Sequence, residues 1–143
     1  MIPATARLLD SRLGRLAVQF GKFGLVGVAG FVVDTAAVYV GIWAGLEFFA
    51  ARIPSFLAAA TVTWALNRSF TFRHAERTPL HRQWAAFLAA NAVGGLVNYG
   101  VSVALEAGFA VVEAHPVLAV AAGSLSGMVF NFAASKRLVF RGA

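Results

Sequence analysis

The sequence predicts an all-α membrane protein with four transmembrane helices arranged as two tandem two-helix repeats. Both termini are expected in the cytoplasm, and an amphipathic interfacial helix is expected at the N-terminus. Three observations lead there. Hydrophobic residues make up 59% of the chain and charged residues 13%, with a mean hydropathy of +0.75; soluble domains are roughly half apolar and a quarter charged. Four apolar stretches approach the roughly 20 residues that cross about 30 Å of hydrocarbon. Two segments, LNRSFTFR at residues 66–73 and ASKRLVFR at residues 134–141, also end apolar runs alike, with a polar residue, one or two bases, and then hydrophobic-x-Phe-Arg.

Residues 1–22 read as the interfacial segment. Leu9, Leu13, Leu16 and Phe20 fall on one helical face, and Arg12, Arg15, Gln19 and Lys22 on another, the pattern of a helix lying in the membrane plane. Residues 23–143 form a single transmembrane domain. Its first span, residues 23–44, carries one charge, Asp34. The second, centred on residues 53–66, is a 14-residue, largely apolar stretch bounded by Arg52 and Asn67. It reaches spanning length if Arg52 snorkels outward and Asn67 and Arg68 lie at the opposite interface; a re-entrant or buried helix is the alternative. The third and fourth spans, residues 84–105 and 116–135, contain no charge. The polar segments 1–22 and 68–83 are too short to bury a core of their own.

Charge sets the orientation. Eleven of the twelve Lys and Arg residues lie before span one, between spans two and three, or after span four. With four spans these segments share one side, which the positive-inside rule makes cytoplasmic. The other face carries Glu47, Arg52, Glu106, Glu113 and His115. The basic excess therefore reports topology and contact with anionic membrane lipid. No nucleic-acid partner is expected, since no soluble module or aromatic-basic platform is present to read one. The absence of cysteine excludes thiol catalysis, disulfides and thiolate metal sites. The three histidines lack metal-ligand spacing, and no nucleophile, base and orienting group stand together. The reading is of a protein that is not an enzyme, with no metal and no cofactor.

The two halves align. A shift of 64 places Gln19 on Gln83, Phe23 on Phe87, Gly30 on Gly94 and Asp34 on Asn98. After a four-residue slip, a shift of 68 places Thr63 on Asn131, Asn67 on Ser135, Arg68 on Lys136, Phe72 on Phe140 and Arg73 on Arg141. The repeats cover about residues 19–73 and 83–141. Each crosses the membrane an even number of times, so both have the same orientation.

Every span also carries small or polar residues at every fourth position, along one face. These are Val26, Gly30 and Asp34 in span one, and Ser55, Ala59, Thr63 and Asn67 in span two. Span three has Ala86, Ala90, Gly94, Asn98 and Ser102; span four has Ala119, Gly123, Gly127, Asn131 and Ser135. Such stripes let helices approach closely and hydrogen bond in lipid, so packing alone accounts for the glycines and alanines. Asp34 asks for more, because a carboxylate at mid-span costs about 2.5–3.5 kcal/mol on insertion scales. It needs a partner, a watery cavity or a proton. With no base counted at its depth, the candidate partners are Asn98, Asn91, Thr35, Thr63 and Asn131. Asp34, Asn98, Thr63, Asn131 and Asn67 are the candidate transport path; a structural bond from Asp34 to Asn98 at the repeat interface is the competing role. Arg68, Arg73, Lys136, Arg137 and Arg141, interleaved with Phe70, Phe72 and Phe140, are candidate ligands for a phosphate headgroup; topology alone also explains their charge.

The stretches QFGKFGLVGVAGFVVDTAAVYV, LNRSFTFR, RQWAAFLAANAVGGLVNYGVSVAL and FNFAASKRLVFR resemble the GtrA-like family of small four-span membrane proteins over about residues 19–141. The most specific elements are Phe23, Val26, Gly27 and Asp34, and the exit formed by Asn67, Arg68, Phe70 and Phe72. Where many members carry Trp before the last Phe of that exit, this chain has Phe70 and Leu138. The resemblance implies a role in cell-surface polysaccharide synthesis: a flippase that translocates a polyprenyl-phosphate-linked sugar across the bacterial cytoplasmic membrane, beside a membrane glycosyltransferase. It supplies no catalytic motif, and transport by so small a bundle implies a homo-oligomer. Two alternatives stand beside it. One is a non-transporting membrane anchor or regulator of a polyprenyl-phosphate glycosyltransferase. The other is a proton-coupled small-molecule exporter, against which the one-sided distribution of bases argues.

Overall fold

A computed structural model describes residues 3–143, with the side chains of Leu9, Phe49 and Pro116 outside the described set; part of the apolar stripe expected at the N-terminus thus lies outside it. Among the described residues every regular element is a helix, with no strand. In order the elements are α1 (Ala4–Asp10), α2 (Arg12–Trp43), α3 (Phe48–Leu66), π1 (Asn67–Thr71), α4 (Leu80–Gly108), α5 (Ala110–Ala114), α6 (Pro116–Ala134) and π2 (Ser135–Val139). Among the described residues, three helical stretches are long and apolar enough to cross a membrane: Arg12–Trp43, Leu80–Gly108 and Val117–Val139. The protein is a membrane protein of α-helices.

Local chemistry explains the helix ends. Ser11 breaks the chain between α1 and α2: its hydroxyl donates to the Leu8 carbonyl at 2.6 Å and accepts from the Gly14 N–H at 3.0 Å, capping α2. The segment expected to lie apart as an interfacial helix therefore joins the first span without a break at residue 22, because after Ser11 nothing in the sequence interrupts helical bonding. At about 1.5 Å per residue, the 32 residues of α2 extend roughly 48 Å, longer than the hydrocarbon is thick. α2 stops at a Schellman turn. Gly45 takes φ +99°, a conformation open to glycine; its N–H donates to the Ile42 carbonyl at 3.0 Å and that of Leu46 to the Gly41 carbonyl at 2.9 Å. Pro116 begins α6 at a position whose N–H would have no helical partner.

The chain divides into two compact units, one running up to Ala75 and one comprising Glu76–Gly142. In the first, α2 packs along α3, with α1 and π1 against α2. Small residues set the approach. A β-carbon at Gly41 would stand 2.9 Å from Ala51 Cβ, and one at Gly30 would overlap the Thr63 methyl. The buried residues of this seam include Phe23, Val26, Gly30, Val38, Ala51, Ser55, Ala60, Asn67, Thr71 and Phe72. In the second unit α4 packs along α6, with α5 touching both and π2 against α4. A β-carbon at Gly127 would lie 3.0 Å from the Gly94 carbonyl oxygen and from Asn98 Cβ, so the two backbones nearly touch. Such contact supplies the dispersion attraction that drives helix association in lipid.

Each unit ends in one wide turn. The Phe72 N–H donates to the Asn67 carbonyl at 2.8 Å, and the Phe140 N–H to the Ser135 carbonyl at 2.7 Å; both bonds span five residues, the spacing of a π-helix. The turn swings a buried ring inward. Phe72 lies 6.2 Å from Phe23, and Phe140 lies 6.0 Å from Phe87, both within the range of tilted aromatic contacts. Two of the three rings expected among the interfacial bases are therefore core residues.

Candidate functional site

In the first unit the polar side chains fall at three levels. At the α2–α3 turn end, Arg52 Nη1 donates to Asp34 Oδ2 at 2.7 Å. This corrects the expectation that Asp34 has no basic partner. Counting residues alone places Asp34 about 14 Å below the end of α2, while Arg52 is about 6 Å inside α3; the long arginine stem reaches back across the difference. Asp34 Oδ1 is buried and has no partner. Within this unit, neither Thr35 nor Thr63 bonds it. One level down, Thr63 directs its methyl at Gly30 and its hydroxyl to the Ala60 carbonyl at 3.1 Å, so its polarity is satisfied within α3. At the far end Asn67 is buried in π1, where its Oδ1 accepts from the Thr71 hydroxyl at 2.7 Å.

The bases of this end surround π1. Arg68 is half-buried and Arg73 exposed, with Arg73 Nε donating to His74 Nε2 at 3.1 Å. The Lys22 ammonium lies 4.8 Å from the centroid of the Phe70 ring, close enough for a cation–π attraction. Phe70, unlike Phe72, does sit among the bases.

The second unit presents a neutral version of the same seam. Asn98 lies against Gly123 and Gly127. The Ser102 hydroxyl donates to the Ala119 carbonyl across the helix pair at 2.9 Å, with Asn98 Oδ1 3.5 Å away. The Asn131 carboxamide occupies the notch at Gly94. Asn131 Oδ1 and Ser135 Oγ, one turn apart, are buried without partners. Around π2, Lys136 is half-buried, and Arg137 and Arg141 are exposed. The Arg141 carbonyl accepts from the Glu76 N–H at 2.7 Å, tying the end of the unit to its start.

Each predicted residue thus lies on the seam or basic exit of its own unit. Residue spacing leaves one participant unidentified: Arg52, expected to snorkel outward, pairs with Asp34. Ser55, a stripe residue, is buried and donates to the Arg52 carbonyl at 3.0 Å. Ser102, another stripe residue, bonds across to α6 at the Ala119 carbonyl. The fourfold spacing identified Ser55 and Ser102 as seam residues; the Arg52 pairing was readable only from side-chain reach.

Comparison with known proteins identifies one family. The model of one family, described as GtrA/DPMS, transmembrane domain, matches residues 22–142. No curated protein matches the chain. The match begins at the base that flanks Phe23 and ends one residue beyond Arg141, so it takes in both helix pairs and both basic exits, and the chain belongs to the GtrA/DPMS transmembrane domain family.

Proposed function

We propose that this membrane protein translocates a polyprenyl-phosphate-linked sugar across the cytoplasmic membrane of a bacterium. Family membership associates it with the synthesis of polysaccharide from lipid-linked sugars. The observation that carries the narrower reading is the recurrence, in each unit, of a polar seam that ends in a basic π-helical turn. The basic turn is suited to a phosphate, through charge-assisted bonds. The seams supply polar groups to a sugar, among them Asn98, Asn131, Thr63 and Asn67, while the isoprenoid tail stays in lipid.

The membrane arrangement in this proposal has four spans, α2, α3, α4 and α6, forming tandem repeats with both termini cytoplasmic. Supporting α3 as a span, its 19 residues extend about 28 Å. Pairing Arg52 with Asp34 reduces the cost of holding either charge at that depth. Exposed Tyr39 and Trp43 near the end of α2 suit the headgroup level of the opposite interface. The coupling role of Asp34 required by a proton-driven exporter is weakened by its guanidinium partner. A glycosyltransferase that makes the lipid-linked sugar is the proposed partner, and a homo-oligomer the proposed assembly.

The test is a reconstituted-liposome assay of polyprenyl-phosphate-sugar accessibility. Wild type is expected to move the lipid, and the combined Arg68→Ala, Arg137→Ala variant to lose that movement while remaining folded. Absence of movement by well-folded wild type, with the glycosyltransferase present, would favour the non-transporting anchor instead.

A further inference from the structure

The bases at π1 lie at one end of α3; Arg52 lies at the other. The 16 residues from Arg52 to Arg68 correspond to about 24 Å of helix rise, close to the thickness of the hydrocarbon. Arg52 is also the single Lys or Arg between Lys22 and Arg68 in the sequence. Its backbone is fixed: Ala51 packs against Gly41, and Ser55 bonds the Arg52 carbonyl. Its side chain is not enclosed, being 46% exposed against 24% for Asp34. The ion pair is made through Nη1 alone, whereas a guanidinium has five N–H donors in a planar fork.

The second unit shows that packing does not need this pair. The shifts that align the halves place Asn98 opposite Asp34 and Val120 opposite Arg52, and Val120 is exposed. The same helix pairing forms there with no charge at these positions. An ion pair absent from one of two like seams is weak evidence for a stabilising role. A singly bonded, half-exposed guanidinium is well suited to donate to a pair of phosphate oxygens.

We propose that Arg52 binds the phosphate ester of a lipid at the end of α3 remote from π1, and that Asp34 holds the guanidinium when no ester is bound. The ligand is a phosphate ester carried on a hydrocarbon tail, from either a polyprenyl phosphate or a phospholipid headgroup. Binding exchanges one anionic partner of Arg52 for another. This rests on the translocation reading in one respect, that a moving lipid phosphate acquires a second anchor at the far interface.

The test is a binding cycle on the full chain, read by native mass spectrometry, with a polyprenyl phosphate in one arm and phosphatidylglycerol in the other. Asp34→Asn releases Arg52 from its competitor and is expected to tighten binding by about threefold, the scale of an exposed ion pair. Arg52→Gln is expected to weaken it by about tenfold, the loss of a charge-assisted bond. The double variant should bind as weakly as Arg52→Gln alone. Should Arg52→Gln not fold, Arg52→Lys keeps the charge without the fork and should remove most of the gain seen in Asp34→Asn. This pattern in either arm upholds the site, and the arm identifies the source of the phosphate. Unchanged or weaker binding in Asp34→Asn, or a gain that persists without Arg52, would overturn it. Binding is read without transport, so a chain that completes this cycle yet moves no lipid would overturn translocation and leave the phosphate site standing.

Discussion

The two units use the same packing devices and differ in where they place charge. Both end in a π turn that buries a phenylalanine against the ring of a partner helix, Phe72 on Phe23 and Phe140 on Phe87. Both fit a polar side chain into a glycine notch, Thr63 at Gly30 and Asn131 at Gly94. Against this common frame, the first unit holds Asp34–Arg52 and Lys22–Phe70, and the second has Asn98 with Val120 and Ala86 with Leu138 at the aligned positions. Features present in both units account for helix pairing. Those confined to one are free to serve chemistry.

That division can be broken by experiment. The largest effect is expected from Phe72→Ala and Phe140→Ala, each costing about 3 kcal/mol through the cavity left by a buried ring. Equal losses in reversible unfolding from mixed micelles would support the common frame, and a marked inequality would break it. Next comes Gly123→Val, whose β-carbon would press on the Asn98 carbonyl oxygen 2.6 Å away. Overpacking of this kind costs about 2 kcal/mol. As its control, Gly27→Ala meets no atom within 4 Å and should leave stability unchanged or raise it by up to about 1 kcal/mol. The double change Asp34→Asn, Arg52→Val gives the first unit the charge pattern of the second. It should alter stability by no more than about 1 kcal/mol, measured by the same unfolding curve; a larger loss would make the pair structural. Smallest is Phe70→Leu, which removes the ring beneath Lys22 for about 0.5 kcal/mol, read as a thermal shift in detergent.

Much of this frame was legible in the residues. Fourfold spacing of small residues identified the seams, since residues four apart share a helical face, and Gly30, Gly94, Gly123 and Gly127 do sit where helices meet. The repeated exit was visible as two aligned strings. What the strings conceal is the hydrogen-bond register: nothing in NRSFT or SKRLV announces a five-residue spacing, which comes from drawing Phe72 and Phe140 into the cores of their units. The join of residues 12–22 to the first span was hidden because an amphipathic pattern does not say where a helix bends. The partner of Asp34 is not legible from residue depth, because residue depth and side-chain depth differ most for arginine.

Whether α3 crosses the membrane is the question on which the same-sided basic exits depend, and the lack of cysteine allows it to be tested cleanly. Single cysteines would be introduced at Leu46, Ala75 and Gly142 in otherwise unchanged protein and exposed in intact cells to a membrane-impermeant thiol reagent. With two-span units of one orientation, Leu46→Cys is labelled from outside, and Ala75→Cys and Gly142→Cys react after the membrane is opened. Labelling of Leu46→Cys and Ala75→Cys from the same side would mean that α3 turns back within the bilayer, which contradicts the repeat and the shared cytoplasmic face.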